Sequence, residues 1–249
     1  MFVIRPKGVR TTPSRVASEL GCQTRFYPNT RHPRRFDYLR DFFMTTPHPE
    51  FVSNAPAAYN DVYHFSTRNK YGQRQILSNF VPIPKTAGSE TEAGNLAGEH
   101  FVVRPLRHSG GVGYRVTGNR LDFIHGQEYI SELFPKRREY RIIFLFGKPL
   151  IVLRKKPNEG IDETAPWGHE NSFFQTINDV PGSRLAGTDV FDRLTEMPAV
   201  AAAHIVAADI LYNSKSDPKY MVLELNFCPG LDIDNNRATI VEAIKNRGA

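Results

Sequence analysis

Three oxygen-bearing side chains stand inside apolar runs near the carboxyl end of the chain. Asp209 interrupts one run, and Glu224 and Asn226 interrupt the next. Because side chains alternate faces along a strand, we expect Glu224 and Asn226 to share a face with Val222. Burying a carboxylate inside an apolar strand costs free energy unless another group binds it. Oxygen ligands of this kind suit Mg²⁺, which is usually held by one or two carboxylates together with substrate phosphates. The sequence therefore predicts a metal site on a hairpin of two strands, with pairing to a core arginine as the alternative.

A glycine-rich segment, residues 108–114, lies between two strand-like runs. Glycine allows a ligand to approach the backbone closely, and successive amides can cradle phosphate. The segment matches neither the Walker nucleotide loop nor the dinucleotide fingerprint. Arg104, in the apolar run before it, and Lys70, at the start of a predicted helix, are candidate phosphate-binding cations. The alternatives are a plain hairpin turn for the segment and a solvated surface position for Lys70.

Composition restricts the class of protein. The chain has 249 residues, of which 40% are hydrophobic and 23% charged, and this excludes disorder, collagen and coiled coil for the whole chain. Two cysteines cannot build a disulfide scaffold, nor a zinc site by themselves. The start is not typical of a secretory signal, and the apolar runs are too short to span a bilayer, so we expect a soluble, cytoplasmic protein. A net charge of +6 and a pI near 9.3 favour an anionic partner.

The elements that must position these residues follow a mixed order. Hydrophobic alternation predicts strands near residues 2–5, 100–106, 114–117, 128–131, 141–146, 149–153, 205–211 and 220–227. Helices are predicted at residues 12–21, 66–79, 195–204 and 237–245. The long polar stretch of residues 157–189 is typical of a lid, a binding loop or a disordered segment. Hairpins with flanking helices indicate the α+β class.

The order of these segments resembles that of the ATP-grasp superfamily, and in particular its amide-ligase branch. The stronger likeness is to ribosomal-protein glutamate ligases, and D-alanine–D-alanine ligases are more distant. It spans residues 66 to 232, with matches at residues 66–86, 101–114, 126–156 and in the two strands within 205–232. The resemblance implies an ATP-grasp fold, in which two α+β subdomains (66–130 and 131–249) grip ATP after a short N-terminal α/β region (1–65).

The resemblance also implies a role for each matched residue. ATP phosphates would be held by Lys70, Arg104, Ser109, Gly110 and Gly111. The adenine hinge would consist of Gln127, Glu128, Tyr129 and Ile130, with the backbone of the last two contacting the adenine edge and Glu128 or Glu132 reaching the adenine amine or a ribose hydroxyl. The acyl phosphate and substrate would face Arg141 and Arg154, and two Mg²⁺ ions would bind Asp209, Glu224 and Asn226. The family normally has Lys where this chain has Arg104, and Arg is not an equivalent phosphate ligand.

The activity implied by the resemblance is ATP- and Mg²⁺-dependent ligation of a carboxylate to an amine, through an acyl phosphate and with release of ADP. The substrates would be small-molecule or peptide carboxylates and amines, and the basic charge favours an acidic one. Trp167, His169, Glu170 and Asn171 are candidate substrate contacts, with solvated loop positions as the alternative. Two other functions stay open, an inactive ATP-grasp relative and a basic module that binds nucleic acid or protein. No membrane partner is expected, and the sequence does not fix whether the chain forms a homo-oligomer.

Overall fold

The structure is a computed structural model, which describes residues 2–6, 12–27, 42–44, 61–62, 64–66, 68–107, 113–162, 167, 171–177, 183–227, 229 and 236–246. Its strands are β1 (Phe2–Pro6), β2 (Gln23–Tyr27), β3 (Phe42–Met44), β4 (Thr86–Ala87), β5 (Phe101–Pro105), β6 (Arg115–Thr117), β7 (Glu128–Glu132), β8 (Arg138–Leu145), β9 (Lys148–Pro157), β10 (Ser172–Ile177), β11 (Ile205–Tyr212) and β12 (Tyr220–Asn226). Its α-helices are α1 (Thr12–Glu19), α2 (Lys70–Leu77), α3 (Glu90–Ala93), α4 (Val190–Glu196), α5 (Pro198–Ala201) and α6 (Asn236–Lys245), and a 3-10 turn spans Arg184–Gly187. These elements confirm the α+β class.

The amino-terminal strands form a parallel sheet in the order β2-β1-β3. Parallel neighbours need a crossover connection, and α1 supplies it between β1 and β2 while burying Val16 and Ala17. The strand and helix predicted at residues 2–5 and 12–21 are confirmed. The hydrophobic pattern does not predict β2 and β3.

A second sheet, termed here the small sheet, has the antiparallel order β4-β7-β5-β6. Phe101 and Val103 of β5 and Ile130 of β7 pack together in its core, against Ala93 of α3. α3 begins at a capping box that includes Ser89, which fixes the segment following β4. The sheet thus joins β5 and β6, the strands before and after the glycine-rich segment, to the strand that leads into the rest of the molecule.

The third sheet, termed the large sheet, has five antiparallel strands in the order β10-β9-β8-β11-β12. One face packs Tyr140 and Ile142 against α4 and α5. The other face packs Ile143 and Leu153 against α6 and α1. Both faces of β8 and β11 are therefore buried, which explains why these strands read as nearly continuous apolar runs. The second face continues into charged side chains, and these form the candidate site.

Two predictions about the elements are wrong. The stretch 157–189 is not one loop, because β10 lies within it and pairs with β9 over six residues. This short edge strand is flanked on both sides by polar, Gly- and Pro-containing stretches, which conceal it in the sequence. The helix predicted at residues 195–204 consists instead of α4 and α5, which are separated at Met197. Pro198 breaks the helix there, because proline is tolerated in a first turn but not inside a helix.

The helices that the structure describes are all short. α6 has ten residues, and within the described ranges no helix combines the length and apolar character that crossing a bilayer demands. The division of the chain at residues 65 and 130 stays a prediction.

Candidate functional site

Polar side chains form a row across one face of the large sheet. We call it the charged row, and it consists of Lys155 on β9, Glu139 and Arg141 on β8, Asp209 on β11, and Glu224 and Asn226 on β12. Lys155 pairs directly with Glu139, and Asp209 pairs with Arg141 on one side and Glu224 on the other. Directly paired residues in a sheet project from the same face. The register therefore brings all three predicted metal ligands and Arg141 to one surface.

A β-bulge on β12 contributes to this arrangement. The register shifts just past the Asp209–Glu224 pair and leaves Leu223 unpaired in the ladder. Val222 consequently packs in the core with Leu225, on the face opposite Glu224, and the expectation that it shares the face of Glu224 is wrong. Bulges commonly redirect side chains in this way next to functional sites.

Arg141 and Asp209 form a buried two-point ion pair. Nε of Arg141 lies 2.6 Å from Oδ1 of Asp209, and Nη2 lies 2.8 Å from Oδ2. Burial alone would raise the pKa of Asp209, but Arg141 outweighs it and, with Lys155 and Lys70, holds that pKa below its usual value. The Arg141 guanidinium also lies 4.4 Å from the ring centroid of Phe174. The alternative to metal binding, a pair with a core arginine, thus holds for Asp209 in this structure, because Arg141 contacts both of its carboxylate oxygens.

Lys70 contacts Glu224 from the start of α2. Its Nζ lies 3.1 Å from Oε2 of the glutamate. The helix begins here because the side chain of Asn69 accepts a hydrogen bond from the Gly72 amide. The Lys70 amide donates to the carbonyl of Leu106, which fastens the helix start to the end of β5. The position of Lys70 therefore depends on both the helix cap and the small sheet.

Two arginines add further positive charge between α2 and the small sheet. Arg74 is buried, donates to Oγ1 of Thr86 at 3.0 Å and lies 5.2 Å from the ring centroid of Tyr129. Burial lowers the pKa of Arg74, and repulsion from Arg104 lowers it further, although Glu224 acts in the opposite direction. Arg104, which pairs with Tyr129 in the ladder, therefore lies close enough to Arg74 for its charge to act on that guanidinium.

A buried cluster stands at the β9 end of the charged row. Glu139 accepts from Nζ of Lys136 at 2.9 Å and from Nζ of Lys155 at 2.8 Å. Nζ of Lys155 also donates to the carbonyl oxygen of Trp167 at 2.8 Å. Nζ of Lys136 lies 3.5 Å from the centroid of the Trp167 ring. Burial lowers the pKa of Lys136, and Lys155 and Arg104 contribute by repulsion while Glu139 opposes the shift.

The predicted hinge residues belong to the small sheet. The backbone carbonyl of Gln127 accepts a hydrogen bond from the Leu106 amide. Tyr129 and Ile130 are buried and pair with β5. The carboxylate of Glu128 bonds Arg115 at 2.6 and 3.0 Å, and this pairing lowers the pKa of Glu128.

Glu132 is the other acidic residue predicted near adenine. Its carboxylate accepts from the Ala97 amide at 2.8 Å. The structure therefore gives Glu128 a partner on β6 and Glu132 a partner in the connection from α3 to β5, and it does not bring either glutamate to the charged row.

Arg154 does not join the charged row. It pairs with Tyr140, which packs in the core on the opposite face, whereas its neighbours Leu153 and Lys155 pair with Arg141 and Glu139. Lys155 is thus the basic residue of this strand that the register turns toward the site. Ser109, Gly110 and Gly111 lie outside the described residues, as do His169 and Glu170.

Four residues at the site are missed by sequence reasoning, namely Arg74, Lys136, Glu139 and Lys155. The two lysines sit in basic clusters that resemble solvated surface. Glu139, however, stands two residues before Arg141 in a strand-like run, and the period of two could have placed them on one face.

The donor chemistry of β12 and β11 fits Mg²⁺. Asp209, Glu224 and Asn226 offer two carboxylates and an amide, and Mg²⁺ is usually held by one or two carboxylates together with substrate phosphates. Among the residues that the structure describes, no group of three or more His, Cys, Asp and Glu side chains could hold a metal by itself.

No protein-family model matches the chain, and no curated protein matches it. Solved structures do share its fold. The ATP-grasp ligase PsnB, complexed with a minimal precursor, aligns over 100% of this chain and 98% of its own, with a TM-score of 0.61 and 11% identity. The macrocyclase MdnC from Microcystis aeruginosa MRC, bound with precursor peptide MdnA, covers 99% and 100%, with a TM-score of 0.59 and 13% identity. D-Alanine–D-alanine ligase from Bacillus anthracis, complexed with ATP, covers 98% and 96%, with a TM-score of 0.53 and 14% identity.

These structures have one fold in common, and they bear out the expectation drawn from the order of the sequence motifs. The narrower likeness to ribosomal-protein glutamate ligases stays a prediction. The chain has the fold of the ATP-grasp superfamily.

Proposed function

We propose that the protein is an ATP- and Mg²⁺-dependent ligase that joins a carboxylate to an amine and releases ADP. The observation that carries this proposal is the pairing of Asp209 and Glu224 side by side, each in contact with a cation, Arg141 or Lys70. Adjacent oxygen donors and cations are what a metal–triphosphate complex requires. Proteins with this fold include ligases, and one of them is complexed with ATP.

The charge balance of the site supports an anionic ligand. Among the residues that the structure describes, pairwise contacts and charge effects link the cations Lys70, Arg74, Arg104, Lys136, Arg141 and Lys155 to the carboxylates Glu139, Asp209 and Glu224. Buried cations that outnumber their counterions are costly. A polyphosphate bound between them would supply the missing negative charge.

Within this proposal, Lys70 and Arg104 would contact the phosphates, together with backbone groups of Ser109, Gly110 and Gly111. The adenine ring would meet the backbone of Tyr129 and Ile130 beside Gln127. Glu128 or Glu132 would reach the adenine amine or a ribose hydroxyl, because their contacts with Arg115 and the Ala97 amide leave carboxylate lone pairs available.

Asp209, Glu224 and Asn226 would hold Mg²⁺, as one ion or two. When bound, Mg²⁺ would neutralise phosphate charge and orient the transferred group. A carboxylate has about four lone-pair sites, so the contact with Arg141 leaves Asp209 further acceptor capacity. The partly exposed ammonium of Lys70 can turn from Glu224 to a phosphate oxygen, which would leave the glutamate for the metal.

The proposed reaction has two balanced steps. A substrate carboxylate oxygen attacks the γ-phosphorus of ATP, the bond to the bridging oxygen breaks with its electron pair, and ADP leaves. The substrate amine then attacks the acyl carbon, the carbon–oxygen bond breaks, and inorganic phosphate and one proton are released. The protein's contribution would be positioning and charge stabilisation, with Arg141 and Lys70 placed to act on the reacting phosphates.

The substrate class follows from charge. The chain is basic, and the surplus cations extend past the metal ligands to Lys155. We therefore propose an acidic amino acid or an acidic peptide as the carboxylate substrate. Two proteins of the same fold are complexed with precursor peptides, which supports testing peptides as well as free amino acids.

The test is ADP release from Mg-ATP, screened against acidic amino acids and peptides paired with amines. Wild-type protein should bind Mg-ATP in calorimetry and sustain ADP release over many turnovers only when both substrates are present. Glu224→Gln should lose most of the turnover. The matched control is Glu196→Gln, an exposed glutamate on α4, which covers the opposite face of the sheet.

The outcomes separate the candidate functions. Binding of Mg-ATP without ADP release from any substrate pair would indicate an inactive relative. Absence of nucleotide binding, with equal behaviour of wild type and Glu224→Gln, would refute the proposal and favour a binding module.

A further inference from the structure

Trp167 is the single tryptophan of the chain and is almost fully buried, with 6% of its surface exposed. It belongs to the segment between β9 and β10, for which the sequence predicts a lid, a binding loop or a disordered stretch. Its indole Nε1 donates to the carbonyl of Asp162 at 3.0 Å, which fixes the ring relative to its own segment. A buried aromatic in such a segment needs a packing partner, and its partner here is a cation.

The ring of Trp167 lies on the ammonium of Lys136. The distance from Nζ to the ring centroid is 3.5 Å, and only 4% of Lys136 is exposed. An ammonium so far from water needs compensation, and the aromatic face and one carboxylate oxygen of Glu139 supply it. Lys136 stands in the connection from β7 to β8, so this contact joins the β9–β10 segment to the link between the two sheets.

The same cluster holds Lys155. Its ammonium is bound on one side by Glu139 and on the other by the carbonyl oxygen of Trp167, each at 2.8 Å. Glu139 in turn is held by Lys136. A long flexible side chain loses its rotamer freedom when it has two fixed partners. Less conformational entropy is then lost when a ligand binds to it. Lys155 is also close enough to Asp209 for its charge to help lower the pKa of that carboxylate.

We propose that Lys136 and Trp167 are positioning residues that fix the Lys155 ammonium at the end of the charged row, where it contacts the anionic ligand. This inference rests on the proposed function and extends it to residues that the motifs do not include.

The test combines nucleotide affinity with stability. The probe is the non-hydrolysable triphosphate AMP-PNP with Mg²⁺, titrated calorimetrically into the full chain. Lys155→Met removes the contacting charge and should weaken binding about tenfold. Lys136→Met and Trp167→Leu should weaken it by roughly three- to tenfold, and Trp167→Phe, which keeps an aromatic face, should fall between Trp167→Leu and wild type.

Thermal unfolding separates positioning from a purely structural role. Glu139 keeps Lys155 as a partner when Lys136 is replaced by methionine. Lys136→Met should therefore lower the unfolding temperature less than Arg141→Met, which leaves Asp209 without its two-point partner, while binding AMP-PNP less tightly than wild type. Phe173→Leu is the control, because Phe173 lies in the same hairpin but is half exposed. It should leave the affinity unchanged.

Because Trp167 is the only tryptophan, its fluorescence reports on the cluster. AMP-PNP should change the emission of wild type, and Lys155→Met should abolish that change. If Lys136→Met, Trp167→Phe and Trp167→Leu all bind AMP-PNP as tightly as wild type, the inference is overturned while the proposed function stands. If wild type itself binds no nucleotide, the proposed function fails and the inference fails with it.

Discussion

Replacing Arg141 with methionine tests how the charged row is stabilised. The substitution keeps the apolar stem that packs near Phe174 and removes both hydrogen bonds to Asp209. Only 8% of Asp209 is exposed, so water cannot replace the lost partner. The variant therefore carries a buried carboxylate whose two-point partner is gone.

The expected loss of stability follows from that burial. Removing one partner of a buried ion pair typically costs about 3–5 kcal/mol. Lys70 and Lys155 act on Asp209 from farther away, so we expect the lower half of this range. The double variant Arg141→Met with Asp209→Leu removes both charges and should regain most of the loss, because the pair itself is offset by its desolvation cost.

The pH dependence provides a second, independent signature. In wild type the pKa of Asp209 is lowered, so the stability that it contributes is present above its unfolded pKa and is lost as pH falls through the folded pKa. Without Arg141, burial dominates and raises the folded pKa of Asp209. The destabilisation should then be largest at pH 7 and shrink toward roughly pH 4, where the carboxyl group can be neutral.

Urea unfolding followed by Trp167 fluorescence at pH 7 and pH 4.5 measures both effects. The control is Arg193→Met, which removes an exposed pair with Asp189 and should change stability little. A variant as stable as wild type at pH 7, or a loss of stability that does not depend on pH, would refute the reasoning.

Three further predictions concern other parts of the molecule. Lys70→Met should bind Mg-ATP at least about tenfold more weakly than wild type. The same variant should bind Mn²⁺ alone more tightly than wild type, as measured by electron paramagnetic resonance, because Glu224 on β12 no longer pairs with an ammonium. Weaker Mn²⁺ binding would contradict this. Gly147→Ala should lower the free energy of unfolding more than Gly160→Ala in urea titrations. Both glycines have positive φ, but only at Gly147 would a Cβ lie 2.9 Å from the backbone of α5; equal losses would contradict the clash. Tyr220→Phe should cost about 1–2 kcal/mol in urea titrations, because the hydroxyl donates to Asp189 at 2.7 Å; an unchanged midpoint would count against that bond.

Part of the site follows from the sequence because it depends on local pattern. Asp209, Glu224 and Asn226 are conspicuous as polar residues in apolar strands, and alternation places the last two on one face. That Asp209 lies beside Glu224 depends on pairing of two neighbouring strands joined by a short loop, which a hairpin makes easy to predict.

Other parts depend on register, which the sequence does not encode locally. Arg154 and Lys155 are adjacent basic residues, and a shift of one position decides which of them reaches the site. The bulge at Leu223 reverses the expected face of Val222 for the same reason. The sequence alone suggests Glu128 as an adenine contact. Its ion pair with Arg115 depends on the tertiary pairing of β6 with β5, which the sequence does not reveal.

The fold class is predictable because most strands are strongly apolar, and the missed elements are those without that signal. β10 is an edge strand with exposed residues, so it lacks the pattern of a buried strand. Pro198 marks the break between α4 and α5 in the sequence. The apolar periodicity continues across this proline, so periodicity alone predicts one helix.

The Arg141–Asp209 contact joins residues 68 positions apart, and this separation has a consequence for biosynthesis. β8 emerges from the ribosome well before β11, its permanent neighbour, and until then one of its edges has no strand to pair with. Unpaired edges of apolar strands invite association with other chains. Truncation upstream of β11 should therefore yield an aggregating fragment, and only a nearly complete chain can assemble the charged row.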